Sequence, residues 1–105
     1  MVTVIDRPEE LRYVLLDGET EIGEESYVDA DGERIVFHTF VSEDYAGQGL
    51  ASQLVRAVVD DIVERGMKVV PVCPYVKAWL PKHPEYAAHV VAPTRAHLRA
   101  IAARP

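Results

Sequence analysis

The stretch Tyr45-Ala46-Gly47-Gln48-Gly49-Leu50-Ala51 constrains this chain more than any other, because it runs directly into an amphipathic segment. From Leu50 to Arg65 the apolar residues Ala51, Leu54, Val55, Val58, Val59 and Ile62 recur at spacings of three and four, with Gln53, Arg56, Asp60 and Glu64 on the other side. That period belongs to a helix of about four turns with one buried face. The two glycines therefore stand at a helix N-terminus, where the first N–H groups have no intrahelical partner and the dipole presents its positive end. Without side chains, they let the backbone approach an anion closely. The arrangement suits the pyrophosphate of a nucleotide-type cofactor. A tight turn opening a helix is the competing reading, since a lone Gly-x-Gly is a short match.

The flanking segments narrow the choice. Upstream, Arg12 to Leu16, Thr20 to Val28 and Arg34 to Val41 are separated by turns at Asp17-Gly18 and Asp29-Ala30-Asp31-Gly32, the pattern of an antiparallel meander. On the last of these strands Ile35, Phe37, Thr39 and Val41 point one way and Val36, His38 and Phe40 the other. Apolar residues on both faces place that strand in the sheet interior. Downstream, Gly66 ends the helix and Lys68-Val69-Val70-Pro71-Val72-Cys73 reads as a short buried strand, which completes a βαβ unit. Pro71 has no N–H for a ladder, so this strand is expected to diverge from its neighbour. A short helix over Pro74 to Leu80 is ended by Pro81 and the Lys82-His83-Pro84-Glu85-Tyr86 segment. Val90-Val91 is a short strand or extended chain, and Pro93 to Ala103 forms a last helix with Pro93 near its first turn.

At 105 residues, 49% of them apolar, the chain reads as one domain spanning residues 1–105. No run approaches the roughly 18 apolar residues of a membrane span and no leader pattern opens the chain, so a cytoplasmic, non-membrane protein is expected. The single cysteine, Cys73, excludes an internal disulfide and a Cys-rich metal site. His83, His89 and His97 lack the spacing of ligand pairs, so no metal is expected. The net charge of -6 is uneven: residues 1–50 hold 13 acids and 3 bases, residues 51–105 hold 4 acids and 8 bases. The basic half suits a polyanion and the acidic half a cationic amine, the plainer alternative being a solvated acidic face. With no Lys/Arg cluster interleaved with aromatics, nucleic acid is not an expected partner.

Four blocks carry a resemblance: His38-Thr39-Phe40-Val41, Gly47-Gln48-Gly49-Leu50-Ala51, Pro71-Val72-Cys73-Pro74-Tyr75-Val76 and Lys82-His83-Pro84-Glu85-Tyr86. Together with the meander they resemble the core of the GNAT acetyltransferase superfamily, and in particular its very small YjdJ-type branch. The resemblance implies a mixed α/β fold in which two central parallel strands splay into a V, with acetyl-CoA (coenzyme A) as co-substrate in the opening. It implies that backbone amides of Ala46, Gly47, Gln48, Gly49, Leu50 and Ala51 hold the pyrophosphate. The pantetheine arm would pair near Phe40 and Val41, and Cys73, Pro74 and Tyr75 would line the end nearest the acetyl group. Two positions depart from the family pattern: Ala46 replaces the usual Arg or Gln, and Phe40 stands where members often carry Glu.

Acetyl transfer to an amine needs a deprotonated nucleophile, a polarised thioester carbonyl and a proton for the departing thiolate. Cys73 either protonates that thiolate or accepts the acetyl group covalently; otherwise it is a small buried apolar residue. His38 is the candidate base and Tyr75 a candidate acid or acyl-pocket wall. The reading that results is an acetyl-CoA-dependent N-acetyltransferase acting on an amine, a protein lysine among the candidates, as a monomer. A CoA-binding module with little turnover and a purely structural interaction domain are the rivals.

Overall fold

Asp31 and Gly32 both take positive φ, 53° and 77°, the pair that a type I′ turn demands, and so close a two-residue hairpin. In the computed structural model, which describes residues 1–105, this hairpin joins two strands of a five-stranded mixed sheet. The strands are β1 (Val2–Arg7), β2 (Arg12–Asp17), β3 (Thr20–Ala30), β4 (Glu33–Val41) and β5 (Lys68–Pro71), in that spatial order. The first four pair antiparallel and β5 joins β4 in parallel. The predicted meander is therefore present with one strand more. β1 pairs along the outer edge of β2, and a 3-10 turn over Pro8–Glu10 separates the two.

A bulge in β4 corrects the expected assignment of its faces. Tyr27 pairs with Val36, but Ser26 pairs with His38, so Phe37 is the extra residue. Directly opposed residues share a face. Thr39, opposite Glu25, therefore joins Val36 on one side of the sheet, and His38 and Phe40 move to the other, the reverse of strict alternation along residues 35 to 41.

Three helices cover the sheet: α1 (Leu50–Glu64), α2 (Pro74–Trp79) and α3 (Arg95–Ala102). α1 buries Leu54, Val55, Val58, Val59 and Ile62 against Leu15, Tyr27 and Val36, and Gly66 at φ 73° ends it as predicted. These five α1 side chains, almost wholly removed from water, stabilise the layer by roughly 1.5–3 kcal/mol each, before conformational entropy is set against them. α3 packs on the opposite face, where Ala100 and Ile101 lie over Val28, Ile35 and Val70. It begins two residues later than expected because Thr94 caps it in extended backbone, leaving Pro93 outside. His97 holds it to β4: Nδ1 accepts the Thr94 N–H at 2.9 Å and Nε2 lies 2.7 Å from Glu33 Oε1. α2 stops at Trp79, and a 3-10 turn over Leu80–Lys82 absorbs Pro81.

β5 pairs with β4 only from Glu33↔Lys68 to Val36↔Pro71. Past Pro71 the chain turns away, with the Val72 and Cys73 N–H groups both on the Val36 carbonyl at 3.0 Å. At the closed end of the pairing, Arg34 is almost fully buried and grips Asp29 with two hydrogen bonds, Nε to Oδ1 at 2.8 Å and Nη2 to Oδ2 at 2.9 Å. Its Nη1 donates to the Tyr13 hydroxyl at 2.7 Å, which donates in turn to Asp61 of α1, also at 2.7 Å. Burial alone would lower the Arg34 pKa, but Asp29 and Tyr13 outweigh it and hold the guanidinium firmly charged.

Candidate active site

The glycine loop is shaped from both ends. Ser42 caps a 3-10 turn over Glu43–Tyr45, and the Tyr45 hydroxyl fastens it to Asp17 at 2.7 Å. Gly47 and Gly49 then take φ of 80° and 71°. No atom lies within 4 Å of where a Cβ would stand on either, so the left-handed backbone itself, not crowding, calls for glycine. The first α1 bond runs from Gln53 N–H to the Gly49 carbonyl at 3.2 Å, and no side chain caps the helix. The N–H groups of Leu50, Ala51 and Ser52 are thus left at the open end. They border a cavity of ≈ 230 Å³ whose walls include Val41, Gly47, Gly49 and Tyr75. Of the six amides expected to serve this loop, that of Ala46 already bonds to the Glu43 carbonyl at 3.0 Å.

The end of β4 at Val41 borders this cavity. The Phe40 carbonyl points at Gly23 of β3 and the Ser42 N–H bonds to Ile22, so even-numbered backbone groups face inward. Those of Thr39 and Val41 therefore point to the open side left by β5.

Cys73 sits at the N-cap of α2, buried at 4% exposure, and its Sγ lies 3.1 Å from Thr39 Oγ1. That hydroxyl lies 2.5 Å from Oε1 of Glu25 on β3. Glu25 is fully buried, 0% exposed, and its Oε2 has no hydrogen-bond partner. Burial pushes its carboxyl up to about 8, against the opposing pull of the Thr39 hydroxyl and the His38 backbone N–H, while Glu24 adds to the rise. Sequence reasoning missed both Glu25 and Thr39 as site residues. The available signal was parity: Glu25 lies two residues from Tyr27, on the same face of β3.

The three predicted catalytic residues separate. Cys73 occupies the opening between β4 and the α2 entrance. The Phe37 bulge turns His38 to the opposite face from Thr39, where its side chain is 53% exposed and Nε2 lies 3.4 Å from Glu24 Oε2, so it is not brought to Cys73. Tyr75 lines the loop cavity and is 41% exposed. Pro74 starts α2, where its missing N–H costs nothing, and Trp79 anchors that helix by donating to Ser52 Oγ of α1 at 2.8 Å. His83 stacks on the Trp79 ring at 3.6 Å between centroids.

This architecture has solved counterparts. A GCN5-like protein from Staphylococcus aureus, known from its NMR solution structure, superposes with a TM-score of 0.66 at 27% identity over 90% of this chain and 93% of its own. The IAA acetyltransferase from Bacillus cereus shares the fold, with a TM-score of 0.51 at 18% identity over 66% of this chain and 62% of that one. In sequence, Protein NATD1 of Gallus gallus is 35% identical over 63 residues, 56% of this chain and 57% of that protein, so the match spans little more than half the relative's length. The profile of the GCN5-related N-acetyl-transferases matches residues 12–90, which include the whole of β2 to α2, the glycine loop and Cys73. With the splayed parallel pair, the glycine loop at the head of α1 and that match in agreement, the chain belongs to the GCN5-related N-acetyltransferase family.

Proposed function

We propose that this protein, a member of the small YjdJ-type branch, transfers the acetyl group of acetyl-CoA directly to an amine. The observation that carries the reading is that the end of the free β4 edge, at Val41, and the unpartnered amides at the start of α1 line one open cavity. The N–H groups of Gly47, Gln48, Gly49, Leu50, Ala51 and Ser52 hold the pyrophosphate, and the helix dipole adds to the attraction. Thr39 and Val41 pair with the amides of the pantetheine arm as a strand would, and this brings the thioester toward Cys73.

The neutral acceptor nitrogen attacks the thioester carbonyl; the C–N bond forms, the C–S bond breaks, the CoA thiolate takes the Cys73 thiol proton, and the proton shed by the nitrogen on becoming an amide passes to solvent in the opening and returns to the site. Direct transfer fits better than an acetyl-cysteine intermediate. A nucleophilic Cys73 would first need a base, and the acid within reach of it, Glu25, holds its own proton at neutral pH. The acceptor is an exposed amine such as a protein lysine, a cation that the acidic half of the chain, residues 1–50 with 13 acids and 3 bases, attracts.

Calorimetric titration with acetyl-CoA, followed by intact-mass analysis, tests the reading. Binding without an added acetyl mass on Cys73, together with acetylation of a lysine-containing peptide that Cys73→Ala slows, is the expected result. Absence of binding heat sinks the assignment. Binding with no transfer to any amine favours a CoA-binding module instead.

A further inference from the structure

Glu25 is the one buried side chain with an oxygen that nothing in the fold satisfies, and it lies one hydroxyl away from Cys73. A buried carboxyl with an unused oxygen is expensive to keep and invites a functional explanation. We propose that Glu25 is the proton store of the site, recharging Cys73 through the Thr39 hydroxyl each time Cys73 protonates a departing thiolate. The proposal rests on the acetyltransferase reading above and assigns the proton path within it. Glu25 acts through Thr39, so it is a positioning residue and not one that touches the substrate.

The steps balance. Cys73 gives its S–H proton to the CoA thiolate. The Thr39 hydroxyl passes its proton to the Cys73 sulfur and receives one from the Glu25 carboxylic acid. Glu25 is left as a carboxylate, and the proton shed by the acceptor nitrogen on becoming an amide restores it through solvent in the opening. The geometry supports each hand-over, with 3.1 Å from sulfur to Thr39 Oγ1 and 2.5 Å from there to Glu25 Oε1. A single hydroxyl between the two groups accepts on one side while it donates on the other, in either direction.

The surroundings keep the store full. Glu24, the neighbour on β3, is the charged side chain that acts on Glu25, and it opposes ionisation. Tyr13, opposite on β2, commits its hydroxyl to Asp61 and Arg34. The His38 side chain lies on the other face of the sheet, and from the α2 entrance comes Cys73 itself. With its midpoint near 8, Glu25 is mostly protonated at neutral pH, the state required of a donor.

The test begins with carbon-13 NMR titration of the Glu25 carboxyl in the full chain, which needs no acceptor and no activity. Coupling predicts a midpoint near 8 that moves upward in Thr39→Val and also in Cys73→Ala, with Cys73→Ser restoring it because a donor returns. A midpoint that Cys73→Ala leaves in place overturns the proposal. The second readout is transfer to an arylamine, whose nitrogen stays uncharged across the range. In the parent, kcat falls as pH rises through the Glu25 midpoint. In Glu25→Gln that limb disappears and kcat at pH 7 drops on the order of 10²-fold, with the KM for acetyl-CoA unchanged. A parent-like profile in Glu25→Gln overturns the proposal as well. Failure of the underlying activity is told apart by calorimetry: loss of acetyl-CoA binding defeats the acetyltransferase reading, whereas the NMR coupling answers for the relay alone.

Discussion

Arg34 and Glu25 are both buried charged residues, both face α1, and lie at opposite ends of one row of side chains formed by Asp29, Tyr27 and Glu25 on β3 and their partners on β4. At the closed end, where β5 still pairs with β4, Arg34 has Asp29, the Tyr13 hydroxyl and the face of the Tyr27 ring at 4.0 Å, with Asp6 at 3.6 Å. Past the point where the strands part, Glu25 has the Thr39 hydroxyl, the weaker pull of the His38 backbone N–H and an oxygen without a hydrogen-bond partner. The same degree of burial thus serves two ends. A buried ionisable group that is fully paired knits strands to a helix, and one left short of partners marks where the fold gives up stability to keep a reactive group.

The sharpest way to break this contrast is to remove each ionisable group. Arg34→Met removes both hydrogen bonds to Asp29 and leaves the buried Tyr13 hydroxyl without its donor, so it should cost about 3–5 kcal/mol in urea unfolding. Glu25→Gln should act in the opposite direction, raising stability by on the order of 2 kcal/mol at pH 9. The folded carboxyl is raised to about 8 from an ordinary 4.5. The stability it contributes is therefore complete below 4.5 and is lost as pH climbs to about 8. The advantage of Glu25→Gln over the parent must grow across that window and level off above it. An advantage equal at pH 4 and pH 9 would show that Glu25 is not titrating in its buried place.

Much of this was legible in the residues, and the omissions share a cause. The period of α1, the stop at Gly66, a hairpin turn within Asp29–Gly32, which the structure narrows to Asp31 and Gly32, and the divergence at Pro71 each follow from a local rule. The left-handed glycines at the head of α1 follow from the same kind of rule. What local rules could not supply was the extra residue Phe37, because a bulge depends on the partner strand and not on the strand that carries it. That one residue reverses the face of everything after it. It sends His38, the expected base, away from Cys73 and brings Thr39 and Glu25 toward it. β1 escaped notice for a related reason: it owes its place to pairing with β2 along an edge.

Further along the open end, Gly49→Ala forces a Cβ into a left-handed backbone and should cost about 1–2 kcal/mol through strain, since nothing is near enough to clash. It should weaken acetyl-CoA binding more than it lowers the melting temperature, because the strained loop loses its aim before the helix behind it unfolds. Equal loss of binding from an exposed substitution on α3, on the far face of the sheet, would remove the loop from the phosphate site.

The smallest effect belongs to the other arginine-centred cluster. Arg12 pairs with Glu10 at 2.6 Å, Glu21 at 2.5 Å and Glu24 at 3.0 Å, a denser set of carboxylates than Arg34 has within hydrogen-bond reach. Counted by contacts it should matter more. It lies at the water-facing side of β2, however, where the unfolded chain keeps its charges hydrated at no loss and the pairs gain little over solvent. Removing it also leaves three carboxylates that water can satisfy, whereas Arg34 is itself shielded from water, its side chain 5% exposed against 21% for Arg12, and its removal leaves the buried Tyr13 hydroxyl without a donor. Arg12→Ala should therefore change unfolding free energy by less than about 1 kcal/mol, and by still less at 1 M salt, where the Debye length falls to about 3 Å. A loss as large as that of Arg34→Met would mean that the number of partners, and not their isolation from water, decides what a charge contributes to this sheet.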